Sequence, residues 1–329
     1  MRLRLSGPAR LPLAVGIAAG LVCWVTFRLA PGTGSDLDQN LVAARALLAG
    51  ENPYLVAGRA SFFYPLLYPL PAILLITPLA PLPLELGRAL FAAVSAATFT
   101  VAATRYGRGL PQALLSACFL KAVLQGQLSP LLVAAAILPL LGAVWPAKPA
   151  IAFSVAAGHV SRRALLAAAA MLLVSILIRP TWIGEWVASV REYNIAVAPV
   201  QLPGGLVLLA ALWRWRLPEA RVLAALACAP HTIAFYDELP LFLIPRTKWE
   251  GYALAALSLL AAFLAGWLHP RWIGTPLEVN LAARWPIMLA CLYLPALVMV
   301  LRPGRGPVRV HADAFAATTG EGRGALATE

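Results

Sequence analysis

Leu11 to Leu29 reads L-P-L-A-V-G-I-A-A-G-L-V-C-W-V-T-F-R-L. A helix needs about 20 apolar residues to cross the hydrocarbon core of a bilayer, and this run supplies that length. Arg2, Arg4 and Arg10 precede it, as in a signal peptide with an over-long core. No small-residue cleavage site follows, so the run reads as a retained signal-anchor helix.

Composition extends that reading to the whole chain. Of 329 residues, 61% are hydrophobic and 12% charged, and the mean hydropathy is +0.79. Soluble domains carry about 25% charged residues, so this chain cannot cover a water-facing surface. Long apolar runs broken by Pro, Gly and Arg favour helices over the short alternating strands of a barrel. In hydrocarbon a helix satisfies its own backbone. The fold class expected is all-α: a polytopic transmembrane helical bundle of about ten to twelve membrane segments, some short or broken. The net charge of +12 does not indicate nucleic acid, because the arginines are scattered at helix ends, as charge-directed orientation produces. Cys23, Cys118, Cys228 and Cys291 all lie in apolar runs without metal spacing and read as small buried hydrophobes.

Directly after the first run comes a polar segment, Asp36 to Tyr68, opened by Asp36 and Asp38. Leu37, Leu41, Ala44, Leu47 and Leu48 recur at helical spacing, so Leu37 to Ala49 reads as an amphipathic helix at the membrane interface. Ser35 or Asp36 suits its N-cap and Gly50 its stop. On spacing alone, the plainer reading is that Asp36 caps a surface helix. Tyr54, Tyr64 and Tyr68 suit an interfacial aromatic belt.

Further candidate spans are Pro65–Leu82, Leu84–Thr104, Leu110–Leu124, Leu128–Val144, Pro149–Gly158, Ala164–Ile178, Gly204–Trp213, Val222–Ala229, Leu239–Ile244, Tyr252–Leu268 and Trp285–Leu301. No internal repeat stands out. One membrane domain over residues 1–302, with a first outer loop at 31–64, is expected before a polar, disordered tail at 303–329. With the N-terminus cytoplasmic, the Asp36 loop falls outside. Arg162, Arg163, Arg214, Arg216, Arg221, Arg246, Lys248, Arg302, Arg305 and Arg309 fall inside, and the C-terminus with them. Arg105 and Arg108 fall outside and break the rule. Either the helix count errs there, or these arginines face something anionic.

Arg221 and Arg246 are both placed inside, yet each half of the chain between them reaches only about 15–18 Å. Pro230 and Pro240 interrupt it. The reading is a pair of short helices or a re-entrant hairpin with Pro230 to Glu238 at its tip. Irregular backbone at that depth must be buried or line a wet cavity. Its ionisable residues, His231, Tyr236, Asp237 and Glu238, are functional candidates on that ground.

D-L-D-Q-N-L-V-A-A-R-A-L-L-A-G-E-N-P-Y followed by F-Y-P-L-L-Y-P-L-P resembles glycosyltransferase family 87, the integral-membrane GT-C-type enzymes that use polyprenyl-phosphate sugars. Gln125 to Gln127 with Ser129, Lys148-Pro149, Trp182 to Trp186 before Arg191-Glu192-Tyr193, and Pro230-His231 to Arg246-Thr247 resemble later family segments, in order. The resemblance covers about Leu11 to Leu268, strongest in the first loop. The chain departs from the family at Asn40-Leu41, where an aromatic pair is usual, and at Tyr64-Pro65-Leu66, where Y-P-P is usual.

The resemblance implies inverting transfer of a hexose, mannose by preference, from a polyprenyl-phosphate donor to a glycolipid or glycan hydroxyl. Asp36 aligns with the family's first-loop aspartate and is the expected general base, with Asp38 in reserve. The departing phosphate needs donors held in place. His231 is the first choice, and Arg105, Arg108, Lys148 and Arg179 follow, each of which also reads as a snorkelling helix-end cation. Tyr64, Gln127, Asp237 and Glu238 are supporting candidates. No ligand set has metal spacing, and neither metal nor other cofactor is expected. Asp36 and His231 are expected to open onto one cavity at the outer face. The competing classes are a multi-pass lipid or sugar transporter or flippase, since broken helices with charges at depth also mark transporters, and a non-catalytic membrane subunit. The Ala, Arg and Leu bias suits a high-GC bacterium and its plasma membrane.

Overall fold

A computed structural model describes residues 7–30, 35–60, 66–191, 196–268 and 277–303. Among the described residues there are helices and turns but no strand, and one isolated antiparallel bridge joins Val197 to His231. Among the described residues, four helices are long and apolar enough to cross a membrane, within Arg10–Leu29, Leu84–Tyr106, Lys248–Gly266 and Ala283–Leu301. A fifth results if Arg162–Ile178 and Trp182–Arg191, bent by 96°, form one broken span. By length and composition this is a multi-pass helical membrane bundle. Among the described residues, most of the other expected membrane segments are short pieces and not helices of crossing length.

The helices are α1 (Gly7–Leu29), α2 (Asp36–Leu48), α3 (Pro53–Arg59), α4 (Leu70–Ile76), α5 (Leu84–Tyr106), α6 (Ala117–Leu124) and α7 (Ser129–Ala134). They continue with α8 (Pro149–His159), α9 (Arg162–Ile178), α10 (Trp182–Arg191), α11 (Pro218–Cys228), α12 (Lys248–Leu268), α13 (Leu277–Met288) and α14 (Leu294–Leu301). A five-residue π turn, Leu289–Tyr293, joins the last two. Pro286 and Pro295 flank it and cannot donate to an α ladder.

Gly16 and Gly20 of α1 face Ala89, Ala93 and Ala97 of α5. A Cβ on Gly16 would lie 2.8 Å from the Ala93 carbonyl oxygen and 2.9 Å from the Ala97 Cβ. Lipid provides no hydrophobic drive between helices, so small residues that let backbones approach hold such pairs together. Arg28 at the end of α1 meets Glu85 at the start of α5 at 3.3 Å, which fixes the pair as antiparallel.

The short pieces correct the helix count. Residues 66–82 do not cross. Leu66 and Leu70 pack with Ala43, Ala44, Tyr54 and Trp182, and Arg45 of α2 donates to the carbonyls of Ala80 and Leu82, each at 2.9 Å. The segment therefore leaves the α2 end and returns to it. Residues 129–148 do the same, beginning beside Gln127 and returning where Lys148 Nζ donates to Gln127 Oε1. With the first dip uncounted as a crossing, α5 runs the other way. Arg88 at its start pairs with Asp38 of α2, and Arg105 lies about 26 Å further along the helix. Arg108 pairs with Glu219 at 3.1 Å, and Glu219 also pairs with Arg246 at 3.0 Å. Arg105 and Arg108 thus join Arg221 and Arg246 at the end opposite α2, and their exception to the charge rule disappears.

The hairpin is present. α11 starts beside that basic end and rises to Cys228, the Val197–His231 bridge marks its turn, and a 3-10 helix, Phe235–Leu243, descends. The Leu243 carbonyl accepts from the Tyr106 hydroxyl at 3.3 Å, back at the basic end. Cys23, Cys118 and Cys291 are buried as expected. Cys228 is exposed, because it ends α11 where the hairpin turns.

Candidate active site

The site grows from the N-terminus of α2. Ser35 caps this helix: its hydroxyl accepts from Leu37 N at 3.3 Å and donates to the Gln125 carbonyl at 2.8 Å. Asp38 closes the capping box by accepting from Ser35 N at 3.0 Å. Gly50 ends the segment with φ +75°. Asp36 is therefore the first residue of the helix and not its cap. Gly126 carries φ +62°, and a Cβ there would lie 2.7 Å from the Leu37 Cβ. That bare turn lets the Gln125–Gln127 segment press against the start of α2.

The side chain of Gln127 is fully buried. Its Nε2 donates to Asp36 Oδ2, and its Oε1 accepts from Lys148 Nζ at 2.9 Å and from the Tyr68 hydroxyl at 3.0 Å. Two donors on one side and a carboxylate on the other fix the amide's orientation. Tyr236 donates to Asp36 Oδ2 at 3.2 Å. Both hydrogen bonds to the Asp36 carboxylate thus fall on Oδ2, and Oδ1 takes none of those found among the described residues. Lys148 also pairs with the buried Asp237, whose Oδ2 accepts from Thr232 at 2.6 Å. The Lys148 ammonium lies 4.9 Å from the centre of the Tyr236 ring. An ammonium has three N–H donors; two are committed here and one remains.

Burial pushes the Asp36 carboxyl above its ordinary range. Lys148, the Tyr236 hydroxyl and the Gln127 amide work against that rise, and the neighbouring Asp237 adds to it. The result is a carboxylate anchored through one oxygen, made more basic by its surroundings, beside a cation with a spare donor.

The other candidates lie elsewhere. Asp38 is not available as a reserve base. It is buried in an ion pair with Arg88, whose guanidinium stacks 3.9 Å from the centre of the Phe27 ring. His231, expected beside Asp36, instead faces away from it. Its Nδ1 lies 2.7 Å from the Ala229 carbonyl, and its Nε2 lies 3.3 Å from both Glu238 Oε1 and the Tyr293 hydroxyl. That hydroxyl also donates to Glu238 Oε2. Adjacent hairpin residues point opposite ways: Asp237 to Lys148, Glu238 to His231 and Tyr293. Arg105 and Arg108 stand at the far end of α5. Arg179 is at the α2 end, but its guanidinium is held by Glu185 at 2.6 and 2.8 Å, bracing the bend between α9 and α10. Tyr64 falls outside the described residues. Beyond the bend, Trp186 Nε1 and the Ser189 hydroxyl donate to the carbonyls of Leu67 and Leu66, each at 2.9 Å, which ties α10 across the site's aromatic loop.

Sequence reasoning named Lys148, Gln127, Asp237 and, at the hairpin tip, Tyr236 without joining them, and it gave no role to Thr232 and only an interfacial one to Tyr68. Among the described residues, no three of His, Cys, Asp and Glu group closely enough to hold a metal ion. Set against protein-family models, curated proteins and solved structures, the chain matches none of them.

Proposed function

We propose that this protein is an integral membrane glycosyltransferase of the GT-C type, similar to family 87, which moves a hexose, by preference mannose, from a polyprenyl-phosphate donor to a hydroxyl of a lipid or glycan acceptor with inversion. The observation that carries the reading is the pairing of Asp36 and Lys148 through Gln127. An acceptor oxygen attacks the anomeric carbon opposite the phosphate. Its proton passes to the open Oδ1 of Asp36 as the new C–O bond forms. The bond from the anomeric carbon to the phosphate oxygen breaks, and its electron pair stays with the departing polyprenyl phosphate. The third N–H of Lys148 meets that growing negative charge, a fixed donor aimed where charge develops. This role passes to Lys148 from His231, whose ring is turned into its own cluster.

A base must be unprotonated yet basic, and the raised carboxyl of Asp36 suits that work. A lipid-linked donor also suits a site set at one end of an apolar bundle. The second reading, a lipid or sugar transporter, draws on the re-entrant hairpin, since broken helices meeting at depth are what such carriers use. Membranes holding the full chain are to be incubated with a radiolabelled polyprenyl-phosphate hexose. Label moving into an acceptor is the expected result. Intact donor changing sides would favour the carrier, and label that does neither would sink both readings.

A further inference from the structure

Far from Asp36, the chain leaves a 3-10 helix, Gly205–Arg214, through Trp213-Arg214-Trp215-Arg216-Leu217 before α11 begins. These five residues line a cleft of about 240 Å³. The segment is clamped in place. Arg214 donates to the Arg302 carbonyl at 2.6 Å beyond the end of α14. Arg221 donates to the carbonyls of Trp215 and Arg216, both at 3.3 Å. Trp213 and Trp215 are 89% and 58% exposed despite their size. Arg216 is exposed too and takes part in none of the ion pairs found among the described residues. The nearest acid in sequence, Glu219, is spent on Arg108 and Arg246.

We propose that this cleft is a binding site for the headgroup of an anionic phospholipid, with the phosphate on Arg216 and the glycerol and upper acyl carbons against Trp213 and Trp215. The inference rests on the membrane reading of the bundle and not on the glycosyltransferase reading. A guanidinium matches a phosphate in planar geometry. Indoles favour the headgroup level, where an apolar body meets a wet edge. Basic pockets at the ends of membrane helices select acidic lipid in this way.

The test is native mass spectrometry of the full chain in detergent, titrated with phosphatidylglycerol, phosphatidylcholine or soluble glycerol phosphate. The expected result is one phosphatidylglycerol retained in preference to phosphatidylcholine. Arg216→Ala should weaken it about five-fold, Trp213→Ala should weaken it measurably, and Arg162→Ala should have no effect. Arg216 and Trp213 are exposed, so these variants should stay folded, and an unchanged melting temperature checks that they do. Equal retention of phosphatidylcholine, wild-type affinity in Arg216→Ala, or glycerol phosphate binding as tightly as the lipid would each overturn the proposal.

Discussion

One side-chain amide, Gln127, bonds Asp36 through its nitrogen and Lys148 through its oxygen. The acid and the cation come from segments far apart in the chain, and this buried group spaces them.

Gln127→Glu tests that spacing. A carboxylate cannot donate to Asp36, and it sets a like charge against it while drawing on Lys148. Misplacing reacting groups by about 1 Å can cost 10²-fold, so kcat/KM for transfer should fall about 10²-fold with the chain still folded. A Glu variant within a few-fold of wild type would remove Gln127 from the mechanism.

Lys148 and Asp237 separate stability from chemistry. Lys148→Met strands a fully buried carboxylate, a change that costs about 3–5 kcal/mol in comparable buried pairs. Adding Asp237→Asn should restore most of the lost melting temperature, since the amide can still bond Thr232. Transfer should stay down by about 10²–10³-fold, because the donor for the leaving phosphate is still missing. If the double variant regains activity as well as stability, Lys148 serves only the fold.

The pH profile follows from the direction of the Asp36 shift. The free acid cannot accept a proton, so kcat/KM should fall as pH drops through the raised carboxyl value. That acid limb should lie above the ordinary aspartate value of about 3.9. Lys148 and the Tyr236 hydroxyl both hold the carboxyl down. Their removal in Tyr236→Phe, or in the Lys148→Met/Asp237→Asn pair, tends to move the limb to higher pH. In the pair, the lost Asp237 charge offsets part of the move, so Tyr236→Phe gives the cleaner sign. A limb that stays put in Tyr236→Phe would detach it from Asp36.

What the sequence disclosed was local. A cap at Ser35 or Asp36, the helix that follows it and the stop at Gly50 are read from neighbouring residues, though the choice of Ser35 over Asp36 is not. The hairpin between Arg221 and Arg246 follows from two charges set too close for a full crossing. What it concealed depends on contacts across the fold. Nothing near residues 66–82 announces that the segment returns to its starting end, because its apolar length imitates a span; the Arg45 contacts and the packing of Ala80 with Ala43 and Ala44 reveal it. That one miscount placed Arg105 and Arg108 on the wrong side. The choice between His231 and Lys148 was equally hidden, since the facing of residues in an irregular hairpin has no sequence period to read.

Asp38 and Arg88 give the control for Asp36. Two residues apart, the acids serve different purposes. Asp38→Ala leaves Arg88 buried without its partner and should cost about 3–5 kcal/mol, whereas the Asp38→Ala/Arg88→Leu pair should recover much of it. Thermal unfolding in detergent measures both. A stable, inactive Asp38→Ala protein would reassign the base.

The most direct measurement is single-turnover transfer by purified Asp36→Asn protein, given a labelled polyprenyl-phosphate hexose and the acceptor that wild type uses. The amide nearly matches the carboxylate in shape and keeps an oxygen for Gln127 and Tyr236, so the melting temperature should hold. It cannot take the acceptor's proton, and removal of a general base is worth about 10²–10⁴-fold. A loss in that range with the fold intact is the expected result. Transfer at the wild-type rate would contradict it.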